Sequence, residues 1–203
     1  MCIRDRHLAR LRDATTPAHA FRRHAGALSA LVLATALMDL EEREEEVRTP
    51  LATTRALVPA RRVTLVPVLR AGLAMVVPAL QLLPDDTLVG FLGMIRDERT
   101  LEPRTYLESL PAGLEEHEVV ALDPMIATGG SSIAALGALR DAGARRLRLV
   151  GLIAAPEGLA AVAAAQPDVA VTVAAIDERL DERGFIVPGL GDAGDRLYAA
   201  RAG

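Results

Sequence analysis

Val119-Val120-Ala121-Leu122-Asp123-Pro124-Met125-Ile126-Ala127-Thr128-Gly129-Gly130-Ser131-Ser132 reads as an apolar strand running into an acid, then a Thr-Gly-Gly-Ser turn, then the start of a helix. In an open α/β sheet, ligands bind at the carboxyl ends of the strands, which is where this turn falls. Two glycines let the backbone approach an anion closely, and the first amides of a helix point toward it. Thr128, Ser131 and Ser132 can add hydroxyl donors. The turn therefore suits a phosphate, with Asp123 placed to accept hydrogen bonds from sugar hydroxyls. Spacing alone leaves open a plain N-capped helix after a buried strand.

Working outward, short apolar runs alternate with Ala/Leu-rich helical segments. Val63–Leu69, Leu88–Ile95, Leu147–Ala154 and Val169–Ile176 read as further strands. Gly72–Leu82, Ser131–Ala142 (ending near Gly143) and Glu157–Ala165 read as helices. Nearly continuous apolar strands in strand–helix alternation predict a mostly parallel sheet covered on both faces. Residues 1–60 read as helical, with Glu41–Glu46 as a solvated helix end and a break at Val47–Pro50. Arg96–His117 reads as a long polar loop, functional or mobile. The tail from Asp177 has few strong signals, and the whole of 1–203 reads as one domain.

Composition narrows the chemistry. Half the residues are hydrophobic (51%) but only 2% are aromatic, so the core must be built from Ala, Val, Leu and Ile. All 23 basic residues are Arg, which excludes Schiff-base, pyridoxal-phosphate and Walker-type lysines. A formal charge of −4 argues against a nucleic-acid partner. Cys2 is the only cysteine, so no intrachain disulfide forms. His7, His19, His24 and His117 show no metal-ligand spacing and read as surface or core residues. Ala25–Met38 is shorter than the roughly 18 residues of a membrane span, and no signal peptide is evident. The expected compartment is the cytoplasm.

The run Asp123–Ser131 resembles the phosphoribosyl-pyrophosphate (PRPP) motif of type I phosphoribosyltransferases. Many members carry two adjacent acids there; this chain has Pro124 in second place, as in the uracil-specific branch. The resemblance implies a type I phosphoribosyltransferase-like α/β fold, with an N-terminal helical segment and a C-terminal hood over the base. It implies PRPP contacts from Asp123, Pro124, Met125, Ile126, Ala127, Thr128, Gly129, Gly130 and Ser131. Within these, Ala127–Ser131 would hold the 5′-phosphate and Asp123 the ribose. With one acid fewer, Mg2+ would arrive mainly on the pyrophosphate and its waters.

Three further segments extend the resemblance. Val66-Pro67-Val68-Leu69-Arg70-Ala71-Gly72-Leu73 resembles the pyrophosphate loop, where Arg70 supplies a permanent forked cation and Gly72 close backbone approach. Gly93–Pro103, followed by Tyr106, resembles an arm over the site, with Arg96 on pyrophosphate and weaker candidates at Arg99 and Tyr106. Gly184–Arg196 contains a literal G-x-G-x-x-G at Gly189, Gly191 and Gly194, but only nine residues follow, too few for a dinucleotide-binding unit. It resembles the uracil pocket instead. There Ile186 would pack on the base, Gly191 and Ala193 would address its edge, and Asp192 would lie near ribose and base. Asp192 is also the nearest candidate for a general base.

These resemblances imply a transferase that displaces pyrophosphate from ribose C1 by a ring nitrogen of uracil. Arg70, Arg96, Asp123 and Asp192 would be the catalytic residues. They further imply a homo-oligomer, dimer or tetramer, and GTP as an effector. The rivals are an RNA-binding pyrimidine sensor on the same fold, which needs a basic face, and a purine transferase, which needs a larger base pocket. Thr49-Pro50-Leu51 and Ala155-Pro156-Glu157-Gly158 also fit the family, while Met1–Arg6 does not resemble the relatives' leading segment. That departure is expected to alter N-terminal packing and subunit contacts and to leave the site intact.

Overall fold

The structure, a computed structural model, describes residues 2–96 and 103–198. Helices α1 (Ile3–Arg12) and α2 (Ala18–Ala36) lead into a hairpin of β1 (Glu42–Arg48) and β2 (Thr53–Pro59). Then come β3 (Val63–Leu69), α3 (Leu73–Leu80), β4 (Leu88–Val89), β5 (Phe91–Arg96) and β6 (Pro103–Ser109). After a 3-10 turn at Leu114–Glu116 follow β7 (Glu118–Leu122), β8 (Met125–Ile126), α4 (Gly130–Asp141), β9 (Arg146–Ala154), α5 (Pro156–Ala165) and β10 (Ala170–Ile176). A small pair, β11 (Arg179–Leu180) with β12 (Ile186–Val187), and α6 (Ala193–Tyr198) complete the described chain.

Among the described residues the central sheet is eight-stranded, in the order β10-β9-β7-β3-β5-β6, with β4 on β3 and β8 on β9. All its pairings are parallel except the β5–β6 edge. Alternate side chains leave a strand on opposite faces, so the sheet builds two cores. Leu65, Val120, Leu122 and Leu152 meet α1, α2 and α3 through Leu11, Phe21, Leu28, Leu33 and Met75. Val66, Val119, Ala121 and Leu149 meet α4 and α5 through Leu136, Leu139 and Val162. Helix α2 presents Phe21, Ala25, Leu28, Val32 and Leu33 at helical spacing. Phe21 is the one aromatic among the largest fully buried side chains, as the composition requires.

Three expectations are corrected. Glu41–Glu46 is not a helix end: Glu42–Arg48 pairs antiparallel with Thr53–Pro59. Pro50 cannot continue a helix, and Thr49 closes the turn instead. Its amide and hydroxyl donate to the Ala52 carbonyl at 2.9 and 2.8 Å, while its Oγ1 accepts the Leu51 and Ala52 amides. Cross-strand Arg55 then reaches Glu44 at 2.7 Å. Second, part of the expected loop after Arg96 is strand β6. Third, Leu88–Ile95 is interrupted at Gly90, where a Cβ would press on Leu110 and Pro111 at 3.0 Å. The tail likewise holds a strand pair and a helix.

Candidate active site

At the end of β7 the Asp123 amide donates to Val150 O at 3.0 Å. Asp123 is buried, only 8% exposed. Ser132 Oγ donates to its Oδ2 at 2.8 Å, and the Met125 amide approaches Oδ1 at 3.4 Å. Burial pushes the carboxyl above the ordinary carboxylate range, and these hydrogen bonds pull it partly back. Ser132 is therefore engaged with Asp123 rather than offered to a phosphate.

Beyond Asp123, the Pro124 carbonyl accepts the amides of Leu152 and Ile153 at 3.0 and 3.1 Å, and the Ile126 carbonyl accepts that of Ala155 at 3.0 Å. Both side chains are buried, so these two residues serve the sheet. Thr128 and Ser131 are exposed, and Met125, Ala127 and Gly130 are half-buried around the turn. Gly129 caps α4 at φ +83°. The first amides of a helix lack intrahelical acceptors, so this end offers donors to an anion. Helix α5 opens with Pro156 in its first turn and brings Gly158 against the same turn. A Cβ on Gly158 would collide with the Ala127 carbonyl.

The Arg70-Ala71-Gly72 turn ends β3 next door. Gly72 makes the expected close approach, but to the protein's own backbone: a Cβ there would collide with Leu122 O, and its amide donates to Val68 O at 3.0 Å. This locks the β3 turn beside Asp123. The peptide between Leu69 and Arg70 is cis. Arg70 is exposed at the same edge. Burial pushes the Tyr198 phenol of α6 up, and the charges of Arg22 and Arg70 act against that push. Arg96 ends β5 opposite Pro103. Its side chain, and Asp97–Glu102 with Arg99, lie outside the described residues. Tyr106 on β6 lies across Gly93, where a Cβ would approach its ring at 2.5 Å.

The hood follows β10. Leu180 donates its amide to Glu157 Oε1 at 3.1 Å, tying the hood to α5. Gly184 comes alongside the Thr-Gly-Gly turn, so that a Cβ on it would meet Thr128 Cγ2 at 3.7 Å. Ile186 and Ala193 face the core with Leu190 and Leu197, leaving Gly191 and Asp192 as the loop's exposed residues. Gly191 and Asp192 are exposed, and Asp192 Oδ1 accepts the Asp195 amide at 2.9 Å. The glycine triplet is no dinucleotide unit: β12 pairs antiparallel with β11, and Gly194 lies inside α6.

Asp177, Arg12 and Tyr198 were not singled out by the sequence, and Ser132 was read as a phosphate donor rather than as the partner of Asp123. Arg12 Nη2 and Nη1 reach Asp177 Oδ1 and Oδ2 at 2.5 and 2.8 Å, and Arg196 donates to the carbonyls of Leu11, Asp13 and Leu190. The end of α1 is thus wired to the hood. No local pattern announces contacts between residues 165 apart.

A parallel sheet with an acid and a Thr-Gly-Gly turn ending one strand, and an Arg-Ala-Gly turn locked beside it, has the architecture of type I phosphoribosyltransferases. A hypoxanthine phosphoribosyltransferase from Staphylococcus aureus shares the fold at 10% identity, with a TM-score of 0.53 and 83% and 85% of the two chains covered. The family model described as uracil phosphoribosyltransferase matches residues 2–200. A uracil phosphoribosyltransferase of Roseiflexus castenholzii is 48% identical over 94% of this chain and 91% of its own. The AQ2163 protein of Aquifex aeolicus superposes with a TM-score of 0.93 at 39% identity, over 99% of this chain and 96% of its own. The chain belongs to the uracil phosphoribosyltransferase family.

Proposed function

We propose that the loops at this edge carry the transfer of a 5-phosphoribosyl group from PRPP to uracil, giving uridine monophosphate and pyrophosphate. The observation that supports it most is one juxtaposition. The Thr128 turn lies against Gly158 and Gly184, while Leu122, just before Asp123, lies against Gly72. Phosphate turn, pyrophosphate turn and base loop therefore meet at one place.

In this reading Thr128, Ser131 and the first amides of α4 hold the 5′-phosphate, and Asp123 accepts the ribose hydroxyls. The C1–O bond to pyrophosphate breaks as the C1–N bond to uracil forms, and the base loses its N–H proton. Asp192, anchored by the Asp195 amide, is the acceptor assigned to that proton. Arg70 and Arg96 stabilise the departing charge. The exposed backbone of Gly191 and Asp192 addresses the carbonyl and N–H groups of uracil, and such a site rejects bases lacking those groups. Mg2+ on the pyrophosphate would neutralise part of its charge. The donor set at the turn, a single carboxylate at Asp123 followed by Pro124, fits a metal that arrives on the substrate.

The roles separate kinetically. Arg70→Gln is expected to lower kcat/KM for PRPP by about 100-fold with the uracil KM within about twofold. Gly191→Ala, at φ +76°, strains the base loop and is expected to raise the uracil KM by about tenfold while sparing the PRPP KM. Swapped or equal effects in steady-state kinetics would sink the assignment.

We extend the reading to a homo-oligomer, supported by Leu51, Leu57 and Val77 at 97%, 65% and 65% exposure. A monomer mass in light scattering would refute it. GTP is the proposed effector, and an unchanged rate on its addition would remove it. No described helix is long and apolar enough to cross a membrane, which accords with a cytoplasmic place for a salvage enzyme.

A further inference from the structure

Both polar groups of one hood residue are held by a single ion pair that begins in the first helix. The Gly189 amide donates to Asp177 Oδ2 at 2.8 Å, and its carbonyl accepts from Arg12 Nη1 at 3.0 Å. Arg12 also engages both oxygens of Asp177, whose side chain is 2% exposed. The three groups close a ring: a forked guanidinium, a buried carboxylate and a peptide. The next residue is held as well. Arg196 donates to Leu190 O at 2.8 Å and, with the same guanidinium, to Leu11 O and Asp13 O at the end of α1. That guanidinium lies 4.3 Å over the Phe21 ring of α2. Gly189 and Leu190 immediately precede the exposed Gly191 and Asp192.

We propose that Arg12 is a positioning residue for the pyrimidine, fixing through Asp177 and Gly189 the backbone edge that reads uracil. The inference rests on the base-loop reading given above. A hydrogen-bonded base tolerates little displacement of its partners, so a loosened Gly189 weakens uracil binding and relaxes base discrimination. It leaves the phosphate turn alone, because Thr128–Ser132 receives no bond from this network. A purely structural ion pair acts otherwise: its loss lowers the folded fraction, and with it kcat, and leaves both KM values in place.

The test compares Arg12→Gln, Arg12→Lys, Asp177→Asn and Gly191→Ala in the full chain, with uracil and PRPP KM measured separately. For Arg12→Gln and Asp177→Asn the uracil KM is expected to rise by about tenfold or more, with the PRPP KM within about twofold. Arg12→Lys retains a cation for Asp177 but not the fork, and should recover part of the loss. Should Arg12→Gln not fold, Arg12→Lys decides, because a wild-type uracil KM there overturns the proposal. If Gly191→Ala raises the uracil KM and the Arg12 and Asp177 variants do not, the positioning role falls and the base-loop reading stands. If Gly191→Ala leaves the uracil KM unchanged, the base-loop reading falls and takes this inference with it.

Discussion

Asp123→Asn should give a protein that melts higher than the wild type at neutral pH and has lost nearly all transfer activity. The carboxylate is buried, receives one short hydrogen bond from Ser132 and a long one from Met125, and has no salt-bridge partner among the described residues. Burial raises its pKa in the fold. A raised folded-state pKa contributes stability that is fully present below the unfolded pKa and lost as pH rises through the folded one. At neutral pH the charge therefore works against folding. Removing it is expected to stabilise by about 1 kcal/mol, or a few degrees in Tm. The gain should shrink as pH falls toward the ordinary carboxylate range, where wild-type Asp123 takes up a proton. In the proposed reading the same charge accepts hydrogen bonds from the ribose hydroxyls, so kcat/KM should fall by about 100-fold or more. Melting curves and steady-state rates across pH check both halves. A lower Tm at neutral pH, or activity within a few-fold of wild type, contradicts the account.

Gly158→Ala should be damaging although helix propensity favours it. In an open helix position, Ala in place of Gly stabilises by up to about 1 kcal/mol. At Gly158 the added Cβ would run into Ala127 O and crowd Ile126 O, both backbone atoms leading into the Thr-Gly-Gly turn. Neither can swing aside as a flexible side chain can, so α5 or the turn must shift. A displacement approaching 1 Å at a substrate-positioning loop costs on the order of 100-fold in rate. The expected result is a loss of that size in kcat/KM for PRPP, with a lower Tm. Gly137→Ala in α4 is the control, because its Cβ would meet nothing within 4 Å. It should raise Tm slightly and leave the kinetics alone. If Gly158→Ala behaves like Gly137→Ala, the packing of α5 on the turn has been misjudged.

The strands at the centre of the sheet were legible because both their faces are buried. Residues 63–68 of β3 and Glu118–Leu122 are buried throughout, and such strands read as continuous apolar runs. The hairpin arm was illegible for the converse reason. Glu42–Arg48 is exposed at every position, so no buried face imposes a two-residue period, and its acids resemble a solvated helix end. Its pairing comes from the Thr49 turn and cross-strand partners, which composition does not advertise. Strand β6 is hidden in the same way by the polar texture of Pro103–Ser109.

At the site, the residues that stand on turns were readable. Asp123 follows a strand and Thr128 precedes a helix, which local spacing placed, whereas Arg70 and Gly191 came from the family resemblance. Residues that hold those turns were not. Ser132 looked like a phosphate donor until the helix carried its hydroxyl back onto Asp123. Gly72 looked like room for a ligand and proves to be room for the Leu122 carbonyl. Arg12 and Asp177 meet only when the chain closes. Pro124 and Ile126 lie within the motif's span, yet their side chains and carbonyls are spent on the sheet.

The account's central claim is tested most directly by a steady-state assay of the folded protein with PRPP, magnesium and, in turn, uracil, cytosine, hypoxanthine, guanine and adenine. The account predicts uridine monophosphate and pyrophosphate from uracil and no nucleotide from the other four. A purine nucleotide, or no product from any base, would contradict it.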